Sequence, residues 1–382
     1  MADSALILDS DQRSNRPKYQ RICDHIYAEI RGGRLLPGQA LPPEAKLVET
    51  LGLSRNTIRQ AFAQLENEGI IERIQGRGTF VTTEQQRQSR QQLDLLALIT
   101  PELRSGCYPS LIAGFEEKCA GFQHQALVSS SNDDVAKQAD LILQLIHRSV
   151  GGVAIVPTTS KPTPDYQIAQ LHRNQIPVVY CHRAVAGVKA PSVVFSGHEI
   201  GLMAGRTLRQ LGHKRIGIFF ASRYSMVNER EVGMRDALTE EGVPVGEVMS
   251  VEYGSRLPAP DKHAKAAIHR TLDELFSRPN PPTALFCGNT PDAEEVYLHA
   301  ESLGLKVPRD LSILNFGGTW REHGLAERIS CLAVDEHAMG ACAAQLLREM
   351  RTGKRPLNDD EQIMFPVSLM PGETIGPVAK HG

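Results

Sequence analysis

The sequence predicts an α/β protein in two parts: a small N-terminal domain of helices and a hairpin, then a larger body with parallel sheets. Three observations support this prediction. Residues 17–82 show three helical patterns and then two short strand patterns, a polar, Gln-rich segment follows, and beyond it short apolar runs alternate with amphipathic segments. A chain of 382 residues is long enough for two or three domains.

The formal net charge of −2 conceals two parts of opposite charge. Residues 12–92 carry 13 Lys and Arg against 8 Asp and Glu, a balance of +5, so the remainder of the chain is net acidic. A basic N-terminal part suits a nucleic-acid partner, whereas the whole-chain charge excludes a uniformly basic coat.

Several classes of protein are disfavoured by what the sequence lacks. It has no apolar run of the ~20 residues that cross a membrane. The N-terminus has only a four-residue apolar run between acidic flanks, which is unlike a secretory signal, so we expect a cytoplasmic protein. The seven cysteines are scattered without a CxxC pair, which predicts buried free thiols rather than disulfides or a metal site.

The N-terminal domain begins with a predicted helix whose apolar stripe is Ile22, Ile26 and Ile30. A turn and a short helix, AKLVETLGL, follow. In the third helix, SRNTIRQAFAQLENEG, Ser54 is positioned to be the N-cap, and the buried face is predicted to be Ile58, Phe62 and Leu65. The segment IIERIQGRGTFV is predicted to be a hairpin with Arg73 and Arg77 around its tip.

The third helix presents polar and basic residues in its first two turns: Arg55, Asn56, Thr57, Arg59 and Gln60. These residue types reach both phosphates and base edges. Two helices joined by a tight turn and followed by a basic hairpin are the parts of a winged helix-turn-helix, which places its second helix in the major groove of DNA.

Residues 19–81 resemble the GntR-type winged-helix domain, through the elements G-x-x-LP, L-S-R-x-T-I-R-x-A and L-x-x-x-G-x-I-x-x-x-x-G-x-G-T-F-V. The resemblance implies DNA contacts from the helix residues Ser54, Arg55, Asn56, Thr57 and Arg59, and from the wing residues Gln75, Gly76 and Arg77. The family often has a basic residue after the Glu of its LP-x-E segment. Here that position is Ala45, so Lys46 is the candidate contact.

Eight apolar runs are predicted to be strands of the body: 95–99, 125–130, 152–157, 176–181, 192–195, 215–221, 283–287 and 312–316. Continuous apolar strands that alternate with helices indicate βαβ units and parallel sheets covered on both faces. Eight strands exceed one doubly wound sheet, so the body is predicted to have two α/β lobes.

The body resembles the effector domain of LacI-type repressors, which is itself similar to periplasmic binding proteins of type I. The segments that carry this resemblance include GGVAIVP, LGHKRIGIF, PTALFCGN and GLKVPRDLSILNF. A GntR head on such a body resembles the arrangement of AraR-type arabinose repressors. The resemblance implies a ligand cleft between the lobes, a common place for such sites.

The predicted domain organisation follows from these patterns and the two resemblances. It comprises a disordered arm (1–16), the winged-helix domain (17–82), a linker (83–93) and the effector domain (94–382). Crossings near Ser196, Val334 and Gly353–Pro356 divide the last into lobe one (94–196 and 334–352) and lobe two (198–332 and 357–378).

The resemblance also implies cleft residues. Arg230 matches an arginine that donates to ligand oxygens, and its fork suits a carboxylate or paired hydroxyls. The other candidate effector contacts are Asn289, Tyr108, Tyr253, Trp320 and His182, the last at a position that is usually Asp.

Four acids that the family pattern expects are missing. Besides His182, the sequence has Thr290, Gly317 and Gly197 where acids are usual. A cleft with Arg230 and His182 but few carboxylates favours an anionic effector, such as a sugar acid or sugar phosphate, over a neutral sugar.

The functional prediction is a sequence-specific transcription regulator, a repressor of carbohydrate-metabolism genes, that binds operator DNA as a homodimer and responds to a sugar-like effector. The alternatives are an activator, or an orphan regulator whose cleft binds a non-sugar anionic metabolite or nothing. An enzyme is disfavoured because GxGxxG after a strand, Walker A, GxSxG and HExxH are absent, so no catalytic residue, cofactor or metal is predicted. The DNA-binding head and the lack of a signal sequence disfavour a transport protein.

Overall fold

The computed structural model describes residues 17–74, 76–83, 95–104, 106–239, 247–254, 262–319, 321 and 324–378. The predicted arm, almost all of the predicted linker, Gln75 and Trp320 lie outside these residues. The chain divides into two compact units, Met1–Leu93 and Asp94–Gly382. Within the described ranges, no helix is long and apolar enough to span a membrane.

The N-terminal unit contains three helices and a hairpin: α1 (Lys18–Arg31), α2 (Glu44–Leu51), α3 (Arg55–Asn67), β1 (Ile71–Ile74) and β2 (Gly78–Val81). The two strands pair antiparallel, as the sequence predicts. The predicted stripes form the core, because Ile22, Ile26, Ile58, Phe62 and Leu65 are buried, while Ile30 is half-buried at its edge. Gly52 turns the chain between α2 and α3 in the left-handed conformation that glycine adopts without strain.

The body contains two six-stranded sheets, which confirms the predicted α/β class with two lobes. The lobe-one sheet has the order β4-β3-β5-β6-β7-β13, and all its neighbours are parallel. Its strands are β3 (Leu95–Thr100), β4 (Gln125–Ser130), β5 (Gly152–Ile155), β6 (Val178–His182), β7 (Ser192–Val194) and β13 (Gln362–Met364).

The lobe-two sheet has the order β9-β8-β10-β11-β12-β14, parallel except for the antiparallel pair of β12 and β14. Its strands are β8 (Arg215–Phe220), β9 (Glu247–Glu252), β10 (Ala284–Cys287), β11 (Ser312–Gly318), β12 (Ser330–Val334) and β14 (Ser368–Met370). All eight predicted strands are therefore present, and β9, β12, β13 and β14 are additional.

Helices cover both sheets, in the chain order α4 (Tyr108–Gly121), α5 (Val135–His147), α6 (Asp165–Arg173), α7 (Gly197–Gln210), α8 (Ser225–Thr239), α9 (Lys262–Phe276), α10 (Thr290–Ser302), α11 (Leu325–Arg328) and α12 (Glu336–Arg351). One apolar core runs through both lobes, and each lobe has a second core on the other face of its sheet. Along β3, Leu96 and Leu98 belong to the shared core and Ala97 and Ile99 to the outer core. Such two-sided burial explains the continuous apolar runs.

The predicted position of the third lobe crossing, near Gly353–Pro356, is wrong. Residues Gln362–Met364 form β13, which pairs with β7 in the lobe-one sheet, so the chain crosses only between Met364 and Ser368. The Gly- and Pro-containing segment is instead a turn within lobe one, in which Arg355 pairs with Glu349 at the end of α12. Residues 357–364 therefore do not belong to lobe two.

Glycines allow two helix pairs in the body to approach closely. In lobe one, a Cβ on Gly114 of α4 would lie 1.9 Å from the carbonyl oxygen of His337 in α12, and one on Gly340 would lie 2.0 Å from that of Leu111. In lobe two, a Cβ on Gly201 of α7 would lie 1.9 Å from the carbonyl oxygen of Arg230 in α8. Any larger residue forces these helices apart.

Candidate functional site

The start of α3 forms an exposed polar surface on the N-terminal unit. Ser54 caps the helix, because its Oγ accepts a hydrogen bond from the Thr57 backbone N–H at 3.2 Å, and its hydroxyl pairs with the Thr57 hydroxyl at 2.8 Å. The side chains of Arg55, Asn56 and Arg59 are exposed on the face opposite the buried residues. Ser54 and Thr57 thus hold the helix start while their neighbours point to solvent.

The arginines of this unit divide into two groups. Within the described residues, no ion pair or hydrogen bond holds the exposed side chains of Arg55, Arg59 and Arg77. Arg73, in contrast, lies 2.9 Å from Glu44 and 3.6 Å from Glu66, so it ties the wing to α2 and α3. Arg73 lies beside the wing tip, as predicted, but its guanidinium is engaged by these two carboxylates.

The remaining candidate DNA contacts also lie on the surface. Gly76 and Arg77 form the hairpin tip, where Gly76 has a φ of 76° that favours glycine, and Lys46 is exposed on α2. An unpaired guanidinium at a helix start or a wing tip is available for a phosphate or a guanine edge. The third wing candidate, Gln75, lies outside the described residues.

In the body, Arg230 of α8 is buried at 3% exposure where the two lobes meet. Its Nη1 donates to the Gly288 carbonyl at 3.3 Å, and its Cζ lies 4.3 Å from the centroid of the Phe316 ring. No described residue accepts a hydrogen bond from its Nε, and burial lowers its pKa. A buried cation held only by neutral groups is unfavourable unless another partner arrives.

A chain of rings links Arg230 to lobe one. Phe316 of lobe two lies 5.2 Å from Phe195, which lies 5.1 Å from His182, and the imidazole stacks on Tyr108 at 5.8 Å. Burial, together with the charges of Arg183 and Arg230, lowers the pKa of His182 to about 3. The imidazole is therefore neutral at pH 7, and the positive charge of this region comes from the two arginines.

Glu336 is an acid in this region that the sequence analysis missed. It is the first residue of α12, it is fully buried, and within the described chain its carboxylate interacts only with the Cys107 thiol and its own backbone N–H. Its carboxylate, the Cys107 thiol and a ring nitrogen of His182 lie within 4.8 Å of one another. Burial raises the pKa of both Glu336 and Cys107. This group has the donor atoms that a metal ion requires, although no metal was predicted.

Asn289 and Tyr253 belong to a separate group in lobe two. Asn289 caps α10, since its Oδ1 accepts from the Asp292 backbone N–H at 2.9 Å. The Tyr253 hydroxyl donates to Asp292 at 2.8 Å, and its ring stacks on Phe219 at 5.1 Å. Asp292 is buried, which raises its pKa to about 7. These two side chains are thus partly engaged within the protein, and Trp320 lies outside the described residues.

Packing explains two of the missing acids. A Cβ on Gly317 would lie 2.8 Å from the Thr290 hydroxyl, and one on Gly197 would lie 2.6 Å from the carboxylate of Glu229. An aspartate at either position would displace its neighbour. The departures from the family pattern are therefore part of the local packing, and Glu336 supplies a carboxylate from a different element.

Both units match known families. Residues 18–81 match the gntR family of bacterial regulatory proteins, and residues 206–375 match the periplasmic binding protein-like domain. The chain joins a gntR-type domain to a periplasmic binding protein-like domain. This confirms both resemblances found in the sequence.

Transcription regulators are among the proteins similar to this chain. The arabinose metabolism transcriptional repressor of Geobacillus stearothermophilus is 27% identical over 341 residues, which cover 87% of this chain and 91% of that protein. Catabolite control protein A of Priestia megaterium is 24% identical over 66% of this chain and 73% of its own. A LacI family regulator from Enterococcus faecium, solved with bound ribose, is 18% identical with a TM-score of 0.61, covering 74% of this chain and 99% of its own.

Proposed function

We propose that this chain is a DNA-binding transcriptional repressor of carbohydrate-metabolism genes, controlled by a small sugar-like effector bound between the lobes of its body. The proposal rests on one pairing of features. The N-terminal unit presents exposed arginines, unpaired among the described residues, at the start of its second helix-turn-helix helix, and the body buries Arg230 where its lobes meet without a described counter-ion. The arabinose repressor among its relatives supports the assignment to carbohydrate genes.

In this proposal, α3 enters the major groove with Arg55, Asn56 and Arg59, and the wing places Gly76 and Arg77 on the neighbouring backbone. Ser54, Thr57, Lys46 and Gln75 complete the proposed contacts. One winged helix makes few contacts, so we propose a homodimer that reads a palindromic operator. A regulator of this kind acts in the cytoplasm, where its DNA is.

The DNA proposal is tested with duplexes selected by the full-length protein from a random-sequence pool. Arg55→Ala and Arg59→Ala should each weaken binding by about 1–3 kcal/mol if the side chain reads a base. If the side chain contacts a phosphate, the variant should instead reduce the slope of log affinity against log salt concentration by about one. Arg34→Ala is the matched control, because Arg34 is also exposed but pairs with Glu29 at 2.7 Å. Unchanged binding by both test variants would overturn the assignment of α3.

The effector is proposed to be a small hydroxylated molecule that carries a carboxylate or a phosphate. Arg230 offers an unpartnered N–H, the Phe316 and Phe195 rings offer apolar faces, and Arg183 adds a second positive charge close by. His182, Tyr108, Asn289, Tyr253 and Trp320 remain proposed contacts. An effector alters operator affinity only through a different affinity for two states of the body.

A thermal-shift screen of the full chain tests the effector proposal with sugars, sugar acids and sugar phosphates, since a ligand stabilises the state that binds it. We expect a stabilising compound for the wild-type protein and loss of its effect in Arg230→Gln. Arg235→Gln on the same helix is the control, because Arg235 lies outside this region and pairs with Glu231. If no compound shifts the melting temperature, the orphan-regulator alternative replaces the effector part of the proposal.

Repression rather than activation is proposed from the relatives alone. The two modes of control differ in the position of the operator, which the protein sequence does not contain. We also propose that the chain acts by binding rather than by catalysis, in line with relatives that are transcription regulators. Reporter expression in cells with and without the gene distinguishes the two signs of control: higher expression without it supports repression, and lower expression supports activation.

A further inference from the structure

Three residues from separate elements of lobe one bring metal-binding atoms together. Cys107 immediately precedes α4, His182 is the last residue of β6, and Glu336 is the first residue of α12. The thiol, a ring nitrogen and a carboxylate oxygen lie within 4.8 Å of one another. They are 75 or more residues apart in the sequence, so only the fold brings them together.

Two of these three side chains are deeply buried and carry polar atoms that no described residue outside the group satisfies. Glu336 has 0% exposure and His182 has 3%. Within the part of the chain that the structure describes, the carboxylate of Glu336 interacts only with the Cys107 thiol and its own backbone N–H, and the Nε2 of His182 forms no hydrogen bond. Buried polar atoms almost always have a partner, so a carboxylate and an imidazole that no residue outside the group satisfies indicate that something binds here.

The surrounding structure holds the three side chains in place. The Gly114 and Gly340 contacts lock α4 against α12, which fixes the helix starts that carry Cys107 and Glu336. His182 has a φ of 65°, a left-handed conformation that is uncommon for a residue other than glycine and that clusters at ligand sites. The ring of Tyr108 stacks on its imidazole. Such rigid support is what a metal site needs.

We propose that Cys107, His182 and Glu336 form a binding site for a divalent metal ion of the zinc class. Thiolate, imidazole and carboxylate are all ligands of zinc, and three protein ligands leave a fourth position for water or another oxygen. Bond lengths of zinc place tetrahedral ligand atoms about 3.3–3.6 Å apart, so atoms at the 4.8 Å limit would approach each other by about 1.2–1.5 Å when the ion binds.

Charge supports the same assignment. A thiolate and a carboxylate balance the charge of a divalent ion, and the imidazole is neutral, so the complex adds no net charge beside Arg183 and Arg230. The ion binds the thiolate and the carboxylate forms of these groups, so its binding releases any protons that they carry. The metal site does not depend on the proposed effector function. It would make His182 a metal ligand rather than a direct effector contact.

The test uses full-length protein that has been stripped with a chelator and then titrated with Zn²⁺ in competition with a chromogenic chelator. We expect one equivalent of Zn²⁺ per chain. Cys107→Ser and Glu336→Gln should each weaken binding by more than the roughly 10- to 100-fold that loss of an outer-shell partner causes. Cys342→Ser is the matched control, because Cys342 is a half-buried free thiol outside the group.

Two further measurements do not depend on the variants folding. Co²⁺ bound to the wild-type protein should show a thiolate-to-metal charge-transfer band, and Zn²⁺ should protect Cys107 from alkylation as mapped by mass spectrometry. A wild-type protein that binds less than one equivalent, variants that bind as the wild type does, or an unprotected Cys107 would each overturn the assignment. The thiol would then be only a neighbour of the Glu336 carboxyl group.

Discussion

Replacing Gly114 by alanine tests whether the close approach of α4 and α12 organises lobe one. The added Cβ would lie 1.9 Å from the carbonyl oxygen of His337, whereas real Cβ atoms essentially never approach within 3.0 Å. The helices must therefore move apart by at least 1.1 Å beside Gly114, which is buried. The backbone carbonyl of His337 cannot move aside as the end of a flexible side chain can.

The change in the free energy of unfolding expected for Gly114→Ala follows from two opposing effects. Alanine in a helix is favoured over glycine by about 1 kcal/mol, and overpacking of a well-packed interior costs about 1–3 kcal/mol. Because the clash is with backbone, we expect the upper end of the second range, for a net loss of about 1–2 kcal/mol. Gly121→Ala, at the end of the same helix, is the control, since a Cβ there meets nothing within 4 Å.

Urea unfolding of the full chain measures both variants. Fluorescence of Trp320, the only tryptophan in the sequence, reports on the body rather than on the N-terminal unit. The midpoint should fall for Gly114→Ala and stay or rise for Gly121→Ala. Equal stability of Gly114→Ala and the wild type would refute the reasoning, because it would show that the helices separate without cost.

Three further predictions follow from single residues. Ser54→Ala should destabilise the N-terminal unit by about 1 kcal/mol through loss of the α3 cap, as measured by calorimetry, whereas Ser54→Asp should retain the cap. Burial raises the pKa of Asp292 from 3.8 to about 7, so its stabilising contribution is complete below pH 3.8 and is lost as the pH rises through 7. The stability of Asp292→Asn relative to the wild type should therefore increase between about pH 5 and 8. Parallel curves of stability against pH for the two proteins would contradict this. The imidazole of His182 stays neutral down to about pH 3. The affinity for a compound from the screen that does not itself titrate should therefore show no step near pH 6.5. Such a step would place His182 in solvent.

The sequence predicted most of the fold because burial leaves a strong pattern. Strands covered on both faces, such as β3 and β8, are continuous apolar runs, and all eight such runs are strands. The missed strand β9 is at a sheet edge and pairs only with β8, so Ser250 and Glu252 are exposed and interrupt the run. Strands β13 and β14 have three residues each, too few for any periodicity.

The candidate sites were less predictable, because they depend on which segments meet in space. Ser54 and the exposed residues that follow it could be placed from helical periodicity and a capping rule. Glu336 could not, because it follows β12, whose sequence SCLAV was not recognised as a strand. Arg73 was assigned to the wing tip from its position near a turn, but its partners Glu44 and Glu66 come from two other elements.

The three passages of the chain between the lobes are all short: Phe195–Ser196 after β7, Asp335 after β12, and Phe365–Val367 between β13 and β14. Because these segments are only one to three residues long, we expect them to limit how far the lobes slide past each other. Their relative motion is restricted to a twist and bend about one narrow hinge. Glu336 is the next residue after one of these passages. A molecule or ion bound beside it therefore acts directly on the angle between the lobes.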